Sequence, residues 1–330
     1  MGQFEEAEDV LDIPSTPEDF SAGADPSDEM DEMDYHKEPD YRPKVLITGA
    51  KGQLGVDLSE VLSRDFNIFA TDIEEMDVTS PDDVISNFAL FEPDIVIHAA
   101  AYTNVDGCET NQAEAFKINA IGTQNIALAC QDFDTRMLYI STDYVFDGSS
   151  DRPYREYMHA CPINKYGESK LMGEHIVQHL IKRHFIVRTS WLFGTHGHNF
   201  VKTMLRLSNE KNEIGVVDDQ RGRPTYTRDL AQAISHLINS PFYGTYHVCN
   251  SGETTWCGFT KKIFELAKRD TKVKAITTDE YPTEARRPRY SVLDTFFWEL
   301  RGYPRLRSWE DALVEFMKHP TVKEEFPFLK

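Results

Sequence analysis

The sequence predicts an α/β protein: a Rossmann-type, doubly wound parallel sheet with a smaller C-terminal α/β substrate-binding region. Three observations lead there. From Lys44 onward, short apolar runs alternate with longer stretches of helical spacing. Runs that are apolar throughout cannot keep one face in water, so they belong to a parallel sheet covered by helices on both sides. A glycine-rich turn, Gly49-Ala-Lys-Gly52-Gln-Leu-Gly55, joins the first run to the first helix, which is where such sheets hold a nucleotide.

Taken in order, Lys44–Thr48 (KVLIT) is the first strand and Gln53–Ser63 the first helix. Asn67–Ala70, Asp94–His98 and Met137–Ile140 are further strands, and His184–Thr189 (HFIVRT) continues the series. Helical spacing marks Pro81–Leu90, one continuous stretch Gln112–Gln131, and Lys165–Lys182. Beyond about Trp191 the rhythm loosens. Helices are expected over Phe200–Asn209, Thr227–Asn239 and Trp309–Lys318, with strands at Gly244–Cys249 and Val273–Ile276. The expected division is an acidic extension over 1–42, a dinucleotide-binding domain over 43–190, and a mainly substrate-binding region over 191–330, some segments of which can return to the first domain.

Charge is unevenly spread. The chain of 330 residues has a formal charge of −20, and its first 42 residues hold fifteen Asp or Glu against Lys37 and Arg42, leaving −7 for the rest. That opening segment, with four prolines and no apolar period, reads as a solvated, disordered extension. An acidic body lacks the clustered Lys and Arg of a nucleic-acid surface. The five cysteines have no CxxC spacing, which fits free thiols in a reducing compartment better than disulfides or zinc. No apolar run approaches the roughly 18 residues of a membrane helix, and no leader is evident, so a cytoplasmic location is expected.

The glycine loop needs small residues for a tight turn, for close backbone approach to a pyrophosphate, and for packing of helix on strand. Gly49, Gly52 and Gly55 fill those places, with Gln53 and Leu54 opening the helix. Asp72, ending the second strand, can bond the ribose 2′-hydroxyl of NAD and repel the 2′-phosphate of NADP. Asp77 and Val78 follow closely and are placed to flank the adenine. Ala99, Ala100 and Ala101, after the third strand, leave room at its C-terminal edge. Further on, Tyr166 and Lys170 stand four residues apart on one helical face, one unit after Ser141-Thr142-Asp143. A phenol beside an ammonium is a proton-handling pair, because positive charge favours phenolate and pulls its pKa towards neutrality. Thr142 can hydrogen-bond a substrate oxygen as charge develops on it.

Together Gly49–Gly55, Ala99–Asp106 (AAAYTNVD), Asn119, Ser141–Gly148 (STDYVFDG) and Tyr166–Lys170 resemble the extended short-chain dehydrogenases/reductases. Thr189-Ser-Trp191, Asn199–Leu207, Asp219-Gln220 with Pro224-Thr225, and Arg287–Asp294 (RPRYSVLD) narrow the resemblance to the dTDP-4-dehydrorhamnose reductases. The resemblance runs from about Lys44 to the C-terminus. It implies reduction of the C4 ketone of dTDP-4-dehydro-β-L-rhamnose to dTDP-L-rhamnose, with NADPH or NADH as cofactor. It also implies Tyr166 as proton donor, Lys170 as its partner, Thr142 tuning the phenol, and Thr142, Asp143 and Trp191 on the sugar. Partners would be the dTDP-sugar, neither nucleic acid nor membrane, with a homodimer left open. Mg²⁺ found in some relatives would need carboxylates such as Asp57, and no metal site is predicted. Arg223 departs from the family, standing where a small residue is usual, and could alter contacts with the nucleotide diphosphate; the acidic extension is a second departure.

A nucleotide-sugar dehydratase would need an acid directly after Asp143; this chain has Tyr144 there, which argues against it. Two alternatives stay open. An epimerase shares the Tyr–Lys pair. A non-catalytic, NADP-binding regulatory subunit resembling that of methionine adenosyltransferase would keep the same fold and act by binding.

Overall fold

Side chains alternate between two cores along the strands of the central sheet, and that alternation explains why these runs are apolar throughout. The computed structural model describes residues 42–329, so the acidic extension, save Arg42, lies outside the described residues. Strands β1 (Lys44–Thr48), β2 (Asn67–Thr71), β3 (Ile95–His98), β4 (Arg136–Thr142) and β5 (His184–Thr189) run parallel, and a sixth, Gly244–His247, joins beside β5. The spatial order is β2-β1-β3-β4-β5-sixth. Val45, Ile47, Ile95, Ile97, Leu138, Phe185 and Val187 face one core, shared with Leu54 and Leu58 of α1 (Gln53–Leu62) and with the helix Thr227–Ile238. Leu46, Val96, Met137, Tyr139 and Ile186 face the other, shared with Val84 and Phe88 of α2 (Pro81–Phe91) and Val177. Burying each such side chain contributes roughly 1.5–3 kcal/mol before the entropy cost of ordering the chain.

A separate aromatic core lies in the C-terminal half, where Phe193, Tyr226, Phe259, Trp309 and Phe316 pack with Val201 and Leu205 of the helix Phe200–Glu210. A parallel pair, Glu213–Val217 with Lys272–Ile276, borders it. Among the described residues, no helix is long and apolar enough to cross a membrane.

Two expectations are corrected. The stretch Gln112–Gln131 is not one helix: Gln112–Phe116 and Thr123–Asp132 flank a wide turn, Lys117–Gly122, of π geometry. Asn119 explains the widening, because its amide bonds both backbone groups of Tyr102 (2.8 and 3.1 Å) and the Ser169 hydroxyl (2.9 Å), while the Thr123 hydroxyl takes its carbonyl at 2.7 Å. Such side-chain bonds compete with the helix ladder and favour a local bulge. The second correction is a helix, Trp256–Leu266, that the loose rhythm of this half concealed. Its Thr255 cap, accepting from Gly258 N, is a signal that was present in the sequence.

Candidate functional site

The sheet changes direction between β1 and β3, since the chain runs outward to β2 and then returns across β1. Crevices of this kind bind ligands at the C-terminal ends of their strands. A cleft of about 900 Å³ opens there, and every sequence-predicted site residue lines it: Gly49, Gly52–Gly55, Asp72, Asp77, Val78, Ala99–Ala101, Thr142, Asp143, Tyr166, Lys170 and Trp191.

Gly49 has φ +68°, and a Cβ there would stand 2.8 Å from the Ala100 backbone. Its glycine is thus required by conformation and by contact. A Cβ on Gly55 would come within 2.3 Å of the Gly49 carbonyl, so that glycine seats α1 on the loop. No acidic residue occupies the first turn of α1, leaving its positive end open to an anion. This cradle fits the pyrophosphate of a dinucleotide. Behind it, the Ala100 N–H donates to the Thr48 hydroxyl (3.1 Å), which contacts His98 Nδ1 at 2.7 Å, and His98 Nε2 reaches Thr123 at 3.1 Å. Burial, with the Lys170 ammonium nearby, pushes His98 down to about 3, so this bridge stays uncharged.

At the other end of the loop, Asp72 accepts from the Lys51 N–H (3.0 Å) and the Ile73 N–H (2.9 Å). Asp77 holds the Thr79 amide and hydroxyl, each at 2.8 Å, which fixes the turn carrying Val78.

The helix Lys165–Leu180 begins against the sheet edge. Asn164 caps it by accepting from the Gly167 N–H at 2.8 Å, and a Cβ on Gly167 would stand 2.1 Å from the Tyr144 carbonyl. This seats Tyr166, partly open to the cleft, facing Thr142. Burial pushes the phenol up and the Thr142 hydroxyl acts in the opposite sense. The protein's own groups therefore keep Tyr166 protonated, where sequence reasoning expected Lys170 to draw it towards neutrality. Lys170 is 3% exposed, its Nζ 4.1 Å from the centre of the Tyr139 ring. Burial pushes it down to about 7, with Glu174 opposing.

Glu174 was not anticipated, although its place one turn beyond Lys170 offered the signal. It forms a bidentate pair with Arg188 at 2.9 and 2.6 Å and accepts from Ser141.

Asp143 is 2% exposed and accepts from the Thr142 hydroxyl at 3.1 Å, with its Oδ2 lacking a hydrogen-bond partner. Burial pushes it up to about 7. Trp191 has φ +47° and lies flat on Trp256, rings 3.5 Å apart and 6° from parallel. A Cβ on Gly222 would stand 2.4 Å from the Trp191 indole, so a glycine there makes room for it. Trp256 was missed by sequence reasoning along with its helix. Arg223 is half-buried behind Ser190, whose hydroxyl donates to the Arg223 carbonyl at 2.7 Å, and it does not line the cleft. Asp57 is buried on α1 at 1% exposure.

Residues 43–322 match the family described as RmlD substrate binding domain. The spore coat polysaccharide biosynthesis protein SpsK of Bacillus subtilis is 42% identical over 276 residues, covering 83% of this chain and 97% of that protein. The dTDP-4-dehydrorhamnose reductase of Escherichia coli K12 is 39% identical over 266 residues, 76% of this chain and 89% of the relative. Among solved structures, dTDP-4-dehydrorhamnose reductase from Bacillus anthracis, in complex with NADP, superposes with a TM-score of 0.83 at 45% identity, covering 84% of this chain and 99% of that one. With this coverage on both sides, and with the cleft assembled as described, the chain belongs to the dTDP-4-dehydrorhamnose reductase family.

Proposed function

We propose that the protein reduces the C4 ketone of dTDP-4-dehydro-β-L-rhamnose to dTDP-L-rhamnose, using NAD(P)H. The observation that carries this reading is the convergence of Tyr166, Thr142 and Lys170 in the same cleft as the glycine cradle. Bound NAD(P)H supplies the hydride to C4; the protein handles the proton. Tyr166, held protonated by burial, donates it to the ketone oxygen, and the Thr142 hydroxyl steadies that oxygen as charge develops. Lys170 places a positive charge behind the phenol and is positioned to hold the nicotinamide ribose. Gly49, Gly52–Gly55 and Ala99–Ala101 take the pyrophosphate and its surroundings. Asp72, Asp77 and Val78 line the adenosine end, and Asp143 with Trp191 takes the sugar. Tyr144 follows Asp143 where a dehydratase would need an acid, which supports reduction over dehydration.

The test is oxidation of NADPH and NADH with dTDP-4-dehydro-β-L-rhamnose, run against other nucleotide keto-sugars. Turnover on this sugar with dTDP-L-rhamnose as product supports the reading. Absence of turnover, with stoichiometric capture of a methionine adenosyltransferase, would overturn it in favour of a regulatory subunit. In Tyr166→Phe, kcat should fall below about a tenth of wild type, since a positioned acid contributes roughly 10²–10⁴-fold, while cofactor affinity stays nearly intact. A variant retaining more than that tenth removes Tyr166 as the acid.

A further inference from the structure

The Asp72 end of the cleft is short of positive charge. Of the described residues lining the cleft, Lys51 and Lys170 are its lysines, no arginine joins them, and Lys170 sits at the opposite end under Tyr166. Lys51 is already engaged: its Nζ lies 2.7 Å from Glu74 Oε2 and 3.0 Å from Glu75 Oε1. Its backbone N–H is held by Asp72, so two carboxylates pair with the ammonium and a third fixes the backbone beside it. Ile73, the residue after Asp72, lines the cleft with an aliphatic side chain that is 67% exposed. It offers a face for an adenine ring and nothing for a phosphate.

On the reading that this cleft binds a nicotinamide dinucleotide, we infer that the protein selects NADH over NADPH, and that Glu74 and Glu75 set the selection by occupying Lys51. A 2′-phosphate entering here meets Asp72 and must either break both Lys51 ion pairs or approach an ammonium whose charge is already compensated. A 2′-hydroxyl carries no charge and can donate to Asp72. Selectivity of this kind is a difference of affinities produced by a repulsive element as much as by an attractive one. Lys51 is thereby a latent phosphate anchor held shut by its two glutamates.

Dissociation constants for NADH and NADPH, measured by calorimetric titration of the full chain without sugar, read the selectivity directly. Wild type should bind NADH tighter by roughly tenfold or more, and the gap should narrow with salt because it is a charge effect between exposed groups. In Glu74→Gln/Glu75→Gln, which keeps an acceptor for the Asp72 N–H, the gap should shrink at least about fivefold through tighter NADPH binding. Adding Lys51→Ala to that pair should restore weak NADPH binding. Equal or tighter binding of NADPH by wild type overturns the inference, as does an unchanged ratio in the double variant or persistence of its gain in the triple. If neither cofactor binds, the reading of the cleft itself falls and the inference with it.

Discussion

At the scale of single residues, Asp143 is held where its charge is least welcome. Its ordinary pKa near 3.8 is raised to about 7 by burial. A raised carboxyl pKa means the folded state binds the proton more tightly, so between these two values stability falls as pH rises and remains lost above about 7. Asp143→Asn is therefore expected to stabilise the protein by up to about 4 kcal/mol at pH 8 and hardly at all at pH 4, which thermal melts at the two pH values would show. An equal effect at both would rule out titration as the cause. Lys170 titrates in the same range, its value brought down to about 7. The alkaline fall of kcat/KM should thus centre near that pH and belong to Lys170, because the Tyr166 phenol is pushed up rather than down. In Lys170→Met the rate should be low and this limb absent; a limb that persists must come from another group.

At the scale of elements, the loop between β1 and α1 holds its shape through contacts that only glycine permits. Gly55→Ala places a methyl against the Gly49 carbonyl. An ångström of displacement there should weaken both NADH and NADPH by at least roughly tenfold, the order that small misplacements cost in positioned sites. Equilibrium titration would show it, and unaltered affinity would mean the loop is not the cradle. The π turn Lys117–Gly122 works differently. It is formed by side-chain bonds of Asn119 across to Tyr102 and Ser169, and by the Thr123 hydroxyl donating to the Asn119 carbonyl. Periodicity alone does not show it, because the bonds that widen the turn go to residues 17 and 50 positions away in the chain.

At the scale of the whole molecule, the Glu174–Arg188 pair ties the long helix to β5 beneath the cleft, with side-chain exposures of 1% and 6%. Removing one partner leaves the other charged and buried, which typically costs about 3–5 kcal/mol. Glu174→Ala should lower unfolding stability by that order in urea melts, and a loss under about 1 kcal/mol would mean that water reaches Arg188. The sheet, its parallel sense and most helices were legible in sequence because burial on two faces forces long apolar runs, and because caps and glycines punctuate them. Trp256 and its helix escaped notice since the aromatic core of the C-terminal half mixes short strands with irregular loops.

By itself the sequence determined the doubly wound fold, the glycine cradle, and the Tyr166–Lys170 pair with Thr142 before it. These are local in origin: spacing sets the face a residue shares, and glycine records a backbone that no other residue can adopt. Tertiary structure alone decided the electrostatic character of those groups. Burial held the phenol protonated, brought Lys170 and Asp143 to about 7, and set Glu74 and Glu75 on Lys51. A charge's behaviour depends on what the fold packs around it, and residues distant in the chain supply that surrounding.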